Sequence, residues 1–152
     1  MAVTIGRADN RKAANLFYDL ALAMEIQGER WRANSYLRAA RSIEELTENL
    51  RSVSERGDLR QIEGVGESIE AKVEEYLRTG RIEALEKVRD LLPEDLELLR
   101  TIPSLGIRRL ADLDVLLGIR SVDDLLRTIY EGRLAELPDF GEEVERRTLE
   151  HL

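Results

Sequence analysis

The chain has 152 residues, of which 23 are basic and 31 acidic, and its formal net charge is −8. It contains no cysteine, which excludes disulfides and thiolate metal sites. No apolar run approaches the ~20 residues that span a bilayer, and the N-terminus lacks the apolar segment of a signal peptide. We therefore expect a soluble, cytoplasmic protein, remote from membranes, with one domain or two very small ones.

The charge is distributed unevenly along the chain. Residues 1–56 carry nine basic and eight acidic side chains, whereas residues 57–152 carry 14 basic and 23 acidic ones. A protein that coats DNA is usually basic. Any contact with nucleic acid should therefore be local, and its affinity should depend on salt.

Leu, Glu, Arg and Ala are abundant and β-branched alternations are few, which predicts an all-α fold. Apolar spacing and capping residues predict where the helices begin. In chain order, the predicted beginnings lie near Asn10, Trp31, Thr47, Glu67, Ile82, Pro93, Ile107, Ser121 and Glu142. We expect a small helical bundle over residues 1–80 and a second helical unit over residues 81–152.

The segment Ile-Glu-Gly-Val-Gly at residues 62–66 predicts a hairpin that leads into the helix beginning near Glu67. Gly64 and Gly66 lack Cβ, so both can take positive φ and let a ligand approach the backbone closely. The first turn of the helix has unpaired N–H groups and the positive end of the helix dipole. These features together favour an oxyanion such as a phosphate.

The same pattern occurs three times: an apolar residue, a turn residue, a glycine or a substitute, an apolar residue, and a glycine before a helix. The middle positions are Gly64, Ser104 and Asp139, which lie 40 and 35 residues apart. An internal repeat is stronger evidence than a single motif. The sequence therefore predicts three helix-hairpin-helix motifs, of which the second and third form a tandem unit.

With these motifs the chain resembles the N-terminal part of family X DNA polymerases, especially the bacterial and archaeal type. The matching stretches are residues 35–40, 64–72, 77–80, 102–106 and 134–141, in the family's order. The resemblance implies a small domain of the lyase type and then a helix-hairpin-helix segment, both preceding the palm. The carboxylate triad that binds two magnesium ions in these polymerases lies beyond this chain, so we expect no polymerase activity from it.

The resemblance also implies how the first two hairpins contact DNA. In the family, backbone N–H groups bind a phosphate without reading sequence, and nearby carbonyls hold a monovalent cation, Na⁺ or K⁺. The residues expected to bind phosphate are Gly64, Val65, Gly66, Ser68, Ser104, Gly106, Arg108 and Arg109. The carbonyls expected to bind the cation are those of Arg60, Ile62, Val65, Arg100, Ile102 and Leu105.

Two residues depart from the family's pattern. Ser104 replaces a glycine, which disfavours a positive φ and crowds the approach of a phosphate, although two arginines follow closely. Asp139 puts a carboxylate where a phosphate would sit. We therefore expect the third hairpin to be structural.

Lys72 raises an alternative function, because the resemblance extends to relatives of the polymerase beta type. There, a lysine at this position forms a Schiff base with the opened sugar of an abasic site, and β-elimination releases the 5′-deoxyribose phosphate. Arg32 and Tyr36 match positions that hold the 5′-phosphate in those relatives. Against this, Ser68 and Ala84 stand where the relatives have lysines, and Trp31 stands where they have a histidine. Carboxylates at positions 67, 70, 74 and 75 surround Lys72 in the sequence and, if close, oppose its nucleophilicity.

Two further features are not expected to carry chemistry. Asp112 and Asp114 are predicted on a solvated helix surface, where residues two apart do not face each other. His151 has no ligand partners at a spacing typical of zinc sites.

Three functions therefore remain. The first is sequence-independent binding of the DNA backbone at gaps, nicks, ends or repair intermediates, by a nucleoid-associated relative or fragment of a family X polymerase. The second is lyase activity at Lys72, and the third is a structural or protein-binding role without DNA affinity. A positive patch beside the first hairpin would favour DNA binding, and its expected members are Arg30, Arg32, Arg38, Arg41 and Arg60.

Overall fold

The computed structural model describes the backbone of residues 2–152 and the side chains from Asp9 onward. Within these residues the protein is helical and has no β-strand, which confirms the predicted all-α class. The α-helices are α1 (Ala2–Ile26), α2 (Arg30–Glu45), α3 (Leu50–Glu55), α4 (Glu67–Thr79), α5 (Glu83–Glu86), α6 (Leu96–Arg100), α7 (Ile107–Leu117), α8 (Val122–Tyr130) and α9 (Glu142–His151). Single 3₁₀ turns cover Leu59–Gln61, Arg89–Leu91 and Leu134–Glu136. Over the same residues, no helix has the length and apolar character needed to cross a membrane.

The sequence suggested Asn10 as the cap of the first helix, but in the structure it does not cap this helix. α1 already begins at Ala2, so Asn10 lies within the helix, and its side chain is buried. Its amide nitrogen donates to the carbonyl of Glu48 (2.6 Å), and its Oδ1 accepts from the N–H of Leu50 (2.8 Å). Asn10 therefore ties α1 to the beginning of α3.

Three other helix boundaries differ from the prediction. α3 begins after Asn49, whose Oδ1 accepts from the N–H of Arg51 (2.9 Å), and not at Thr47. The helix predicted from residue 82 to residue 92 is interrupted, because α5 covers only its first part and a 3₁₀ turn follows. Pro93 precedes α6 instead of occupying its first turn.

The chain divides into two compact units, residues 1–89 and residues 90–152. The sequence suggested a boundary after residue 80, but in the structure α5 packs on α1 and belongs to the first unit. The core of this unit lies between α1 and α2, where the rings of Phe17 and Tyr36 are 6.3 Å apart. The sequence predicts an apolar stripe on α1 that consists of Ala13, Leu16, Phe17, Leu20, Ala21 and Met24, and all its members except the half-buried Leu16 are buried here.

The second unit contains the second and third hairpins around its own apolar core. The core side chains are Leu99, Ile102, Leu105, Leu110, Leu113, Ile119, Leu125, Ile129, Leu134 and Phe140. The second hairpin contributes Ile102 and Leu105 from the two sides of its turn position, and the third contributes Phe140, while Leu137 is half-buried. The repeated pattern thus serves packing as well as turn formation.

Arg120 fixes the segment that opens the second unit. Its guanidinium donates to three backbone carbonyls, those of Asp90, Leu91 and Leu92. It also donates to the carboxylate of Asp114 (3.2 Å), whose side chain is only 14% exposed. Asp114 is therefore a largely buried structural partner of Arg120, and its prediction as a solvated surface residue was wrong.

Candidate nucleic-acid interface

The first hairpin is a four-residue turn over residues 62–65. The N–H of Val65 donates to the carbonyl of Ile62 (3.1 Å), and Gly64 has a φ of 83°, as the third residue of a type II turn requires. A Cβ on Gly64 would lie 3.4 Å from atoms of Arg38 and Ala39. Glycine therefore provides the left-handed backbone and lets the turn pack directly on α2.

Gly66 has a different role, because its φ is −100° and its backbone is extended. It is the exposed N-cap residue of α4, and no atom lies within 4 Å of the place that a Cβ would occupy. Positive φ thus occurs at Gly64 and not at Gly66. The open space beside Gly66 lets a ligand reach the backbone at the end of the helix.

The N-terminus of α4 has no side-chain cap. The first hydrogen bond of the helix runs from the N–H of Glu70 to the carbonyl of Gly66 (2.9 Å), so the N–H groups of residues 67–69 precede the helical ladder. α7 and α9, which also follow hairpins, begin in the same way after glycines. Side chains cap α3 and α8, whereas α2, α5 and α6 lack a side-chain cap although they follow no hairpin. What distinguishes the hairpin helices is the open glycine that precedes each of them.

A cleft of about 490 Å³ lies beside the first turn, between Gly64 and α2. Its polar and aromatic lining consists of Trp31, Asn34, Ser35, Arg38 and Arg41. Residues 30–41 contain four arginines and no carboxylate. Trp31 is the only tryptophan of the chain and is 88% exposed.

The five arginines of the predicted positive patch do not all meet at this hairpin. Arg38 and Arg41 line the cleft, whereas Arg32 lines a second pocket. Arg60 is paired with Glu70, with 3.1 Å between Nε and Oε1. Arg30 lines neither pocket, so the members of the predicted patch that line the cleft beside the turn are Arg38 and Arg41.

The second pocket, of about 780 Å³, lies on a different side of α2 and brings Arg32, Tyr36 and Lys72 together. Lys72 donates to the hydroxyl of Ser68 (3.0 Å), and its Nζ lies 5.8 Å from the centre of the Tyr36 ring. A hydrogen bond with Tyr36 raises the pKa of Arg32 above its usual value. Arg78 and Lys87 line the same pocket, together with the carboxylates of Glu29, Glu75 and Glu83. Arg32 is paired with Glu29 and Lys87 with Glu83.

Two of the four carboxylates that flank Lys72 in the sequence bind other groups. Glu70 pairs with Arg60, and Glu75 accepts from the N–H of Glu83 (3.2 Å). The lysine's hydrogen bond goes to a neutral hydroxyl, one helical turn away. Lys72 is therefore less closely tied to carboxylates than the sequence suggested.

The second hairpin keeps the turn but not its left-handed residue. The N–H of Leu105 donates to the carbonyl of Ile102 (3.0 Å), while Ser104 does not take a positive φ. Ser104 is buried, and its Oγ lies 2.7 Å from Oγ1 of Thr148 in α9. The strain expected from replacing a glycine does not arise, because this turn has another backbone conformation.

Arg109 connects the second and third hairpins. It donates from Nη1 to the carbonyl of Ser104 (2.8 Å) and from Nε to the carbonyl of Asp139 (3.1 Å). Its guanidinium also lies 5.9 Å from the centre of the Phe140 ring. Arg109 is thus engaged in packing, whereas the neighbouring Arg108 is exposed.

The third hairpin is closed by the N–H of Phe140, which donates to the carbonyl of Leu137 (3.2 Å). Asp139 has a φ of 66° and is the one non-glycine residue with positive φ in the part of the chain that the structure describes. Aspartate tolerates this conformation better than most residues. The hairpin contributes the buried Phe140 and is followed by the buried Thr148, in keeping with a structural role.

The carbonyls expected to hold a monovalent cation lie at the first two turns, and their role stays a prediction. Those of Ile62 and Ile102 each accept the hydrogen bond that closes a turn, which leaves one lone pair on each oxygen. Over the residues that the structure describes, no cluster of three His, Cys, Asp or Glu side chains is arranged to bind a metal ion.

Comparison with known proteins shows a domain family and two relatives that this chain is similar to. Residues 8–82 match the family described as the helix-hairpin-helix domain. The chain is 28% identical over 138 residues to the DNA polymerase/3′-5′ exonuclease PolX of Bacillus subtilis, covering 90% of this chain and 24% of the relative. It is 34% identical over 106 residues to DNA polymerase lambda of Rattus norvegicus, covering 70% of this chain and 18% of the relative. The chain thus spans less than a quarter of the length of these relatives. The chain is related to one part of the family X DNA polymerases, as its sequence predicted, and its residues 8–82 match the helix-hairpin-helix domain.

Proposed function

We propose that this chain binds the backbone of DNA without reading its base sequence, and that the first hairpin is the principal contact. The observation that carries the proposal is the uncapped N-terminus of α4 next to a cleft lined by Arg38, Arg41 and Trp31. A phosphate at this helix end meets backbone N–H groups and the positive end of the dipole. The DNA-acting relatives support the choice of DNA over other phosphate compounds.

Trp31 favours DNA with unpaired bases within this proposal. An exposed indole can stack on any base, and such stacking contributes roughly 1–3 kcal/mol per base without sequence preference. The guanidinium groups of Arg38 and Arg41 lie in the same cleft. We therefore propose gapped or nicked duplexes and junctions of single and double strands as the preferred forms.

The second hairpin provides a weaker contact. Ser104 and Arg109 are used in packing, which leaves Gly106, the N-terminus of α7 and the exposed Arg108 to meet a phosphate. Na⁺ or K⁺ on the carbonyls of the turns would offset charge at both hairpins. Residues 90–152 carry eight basic and 15 acidic side chains, so the affinity should be modest and should fall with salt.

The test compares one substitution at the same position of all three hairpins: Gly66→Glu, Gly106→Glu and Gly141→Glu. Each glycine precedes a hairpin helix, has a negative φ and has no atom within 4 Å of its Cβ position. A glutamate therefore fits without unfolding the protein but repels a phosphate. Affinity is measured by gel shift on a gapped duplex and on the intact duplex, at low and moderate salt.

We expect Gly66→Glu to lower the affinity at least tenfold, Gly106→Glu to lower it less, and Gly141→Glu to leave it unchanged. Equal affinity of Gly66→Glu and the unsubstituted protein would contradict the proposed contact. Lack of binding by the unsubstituted protein, well above micromolar concentration, would favour the structural or protein-binding role.

A second candidate function is cleavage at abasic sites, which the grouping of Lys72, Tyr36 and Arg32 in one pocket supports. The neutral amine of Lys72 would attack the C1′ aldehyde of the opened sugar and form a Schiff base with loss of water. Removal of a C2′ proton would then break the C3′–O bond and leave the phosphate on the DNA strand. Hydrolysis would release the unsaturated sugar phosphate and restore the amine.

Borohydride trapping on a 5′-incised abasic duplex tests this candidate. The chain has three lysines, Lys12, Lys72 and Lys87, so each can be replaced by alanine in turn. Loss of the trapped adduct in Lys72→Ala, with the adduct kept in Lys12→Ala, would identify the nucleophile. An adduct that persists in Lys72→Ala would exclude Lys72 from this role.

A further inference from the structure

We propose that Glu63 is an electrostatic brake on the first hairpin, which restrains Arg38 and so lowers the affinity of the hairpin for DNA. The inference rests on the proposed DNA binding and concerns how strongly the same site binds. Glu63 is the second residue of the first turn, and its Oε1 lies 3.9 Å from Nη2 of Arg38. The pair thus joins the tip of the turn to an arginine that lines the cleft.

The other two hairpins show that the turn does not need this carboxylate. The corresponding positions hold Pro103 and Pro138, and proline is favoured at the second position of such turns. The hydrogen bond that closes the first turn is made by the backbone of Ile62 and Val65. Glu63 therefore adds a negative charge that closure of the turn does not require, and it does so beside Arg38.

The position of the turn explains why Glu63 acts on Arg38 in particular. Gly64, the next residue, packs directly on the backbone of Arg38, so the carboxylate and the guanidinium stay close. The side chains of Arg38 and Glu63 are 66% and 84% exposed, and such pairs contribute little to stability. Removing the carboxylate should therefore spare the fold and leave Arg38 available to a phosphate at the end of α4.

Salt dependence distinguishes this role from a structural one. If Arg38 moves from Glu63 to a phosphate, the complex gains one ionic contact, and the plot of log affinity against log salt steepens by about one unit. A variant that only altered the turn would change the affinity without this change of slope. The gain in affinity should be about three- to tenfold at low salt and should shrink as salt rises.

The experiment measures binding of the full chain to gapped DNA across a salt series for Glu63→Gln and Glu63→Pro. Glu55→Gln is the control, because Glu55 lies exposed at the end of α3 and its substitution changes the net charge equally. Arg38→Ala and the double variant Glu63→Gln/Arg38→Ala complete a cycle. We expect tighter binding and a steeper slope in both Glu63 variants, less than a twofold change in Glu55→Gln, and no gain from Glu63→Gln in the Arg38→Ala protein.

Four outcomes would overturn the proposal. An unchanged affinity of Glu63→Gln, with DNA bound by the unsubstituted protein, would refute the brake alone. An equal gain in Glu55→Gln would attribute the effect to net charge, and an equal gain without Arg38 would show that Glu63 acts directly on the phosphate. Absence of binding in every protein would refute the proposed function and the brake with it.

Discussion

Gly64→Ala is the substitution that most directly tests the geometry of the first hairpin. Alanine at a φ of 83° pays the cost of the left-handed conformation, roughly 1–2 kcal/mol. Its Cβ would lie 3.4 Å from atoms of Arg38 and Ala39, at the near edge of ordinary contact, so overlap adds little. We therefore expect the free energy of unfolding to fall by roughly 1–2 kcal/mol. In a unit of this size, Tm should fall by roughly 4–8 °C for each kcal/mol.

Gly57→Ala provides a matched control, because Gly57 has a φ of 79° and no atom within 4 Å of its Cβ position. This substitution has the same cost of a left-handed backbone, but it leaves the contact between the first turn and α2 unchanged. Thermal unfolding followed by circular dichroism should show equal destabilisation of the two variants. Gel shift on gapped DNA should show a loss of affinity in Gly64→Ala alone.

Two results would refute this reasoning. If Gly64→Ala were as stable as the unsubstituted protein, the turn would not require a left-handed residue. If Gly57→Ala lost as much DNA affinity as Gly64→Ala, the loss would follow from lower stability and not from displacement of the turn.

Three further substitutions test other parts of the molecule. Asn10→Ala removes two hydrogen bonds, at least one of them buried, so urea unfolding should show a loss of about 2–3 kcal/mol; a loss below about 0.5 kcal/mol would contradict the bridge to α3. Trp31→Ala should weaken binding of gapped DNA about fivefold or more without changing Tm, and Trp31→Phe should restore much of it; equal binding by all three proteins would exclude stacking. Ser104→Ala should lower the free energy of unfolding by about 1 kcal/mol, because it removes the hydrogen bond to Thr148, and should lower it little in a Thr148→Val background. Equal losses in both backgrounds would disprove the coupling of the two residues.

The hairpins and most helices could be predicted because they depend on neighbouring residues. Each turn is closed by a hydrogen bond between residues three apart, and each is followed by a glycine and a helix. The left-handed backbone of Gly64 follows from the same local pattern. These features recur in each copy of the motif, so the repeat in the sequence was sufficient to find them.

Features that depend on distant residues could not be predicted in this way. Asn10 precedes an apolar stripe, as a helix cap does, but its hydrogen-bond partners lie 38 and 40 residues away. Trp31 has the spacing of Ala39 and Ile43, but periodicity does not show how far a buried stripe extends along a helix. The structure leaves Trp31 exposed beside the first hairpin, where its indole is useful to the proposed interface.

The three hairpins share the hydrogen bond that closes the turn, and their surroundings determine what each can do. The first turn packs on α2 through a glycine and opens beside a cleft with Arg38 and Arg41. The second turn uses Ser104, a candidate phosphate ligand in the sequence, to bind Thr148, and Arg109 then joins it to the third. A side chain that holds two hairpins together cannot also leave room for a phosphate at the same place. The proposed DNA contact is therefore concentrated at the first hairpin, within the unit whose charges nearly balance. The acidic residues 90–152 contribute at most the amides at the start of α7 and the exposed Arg108.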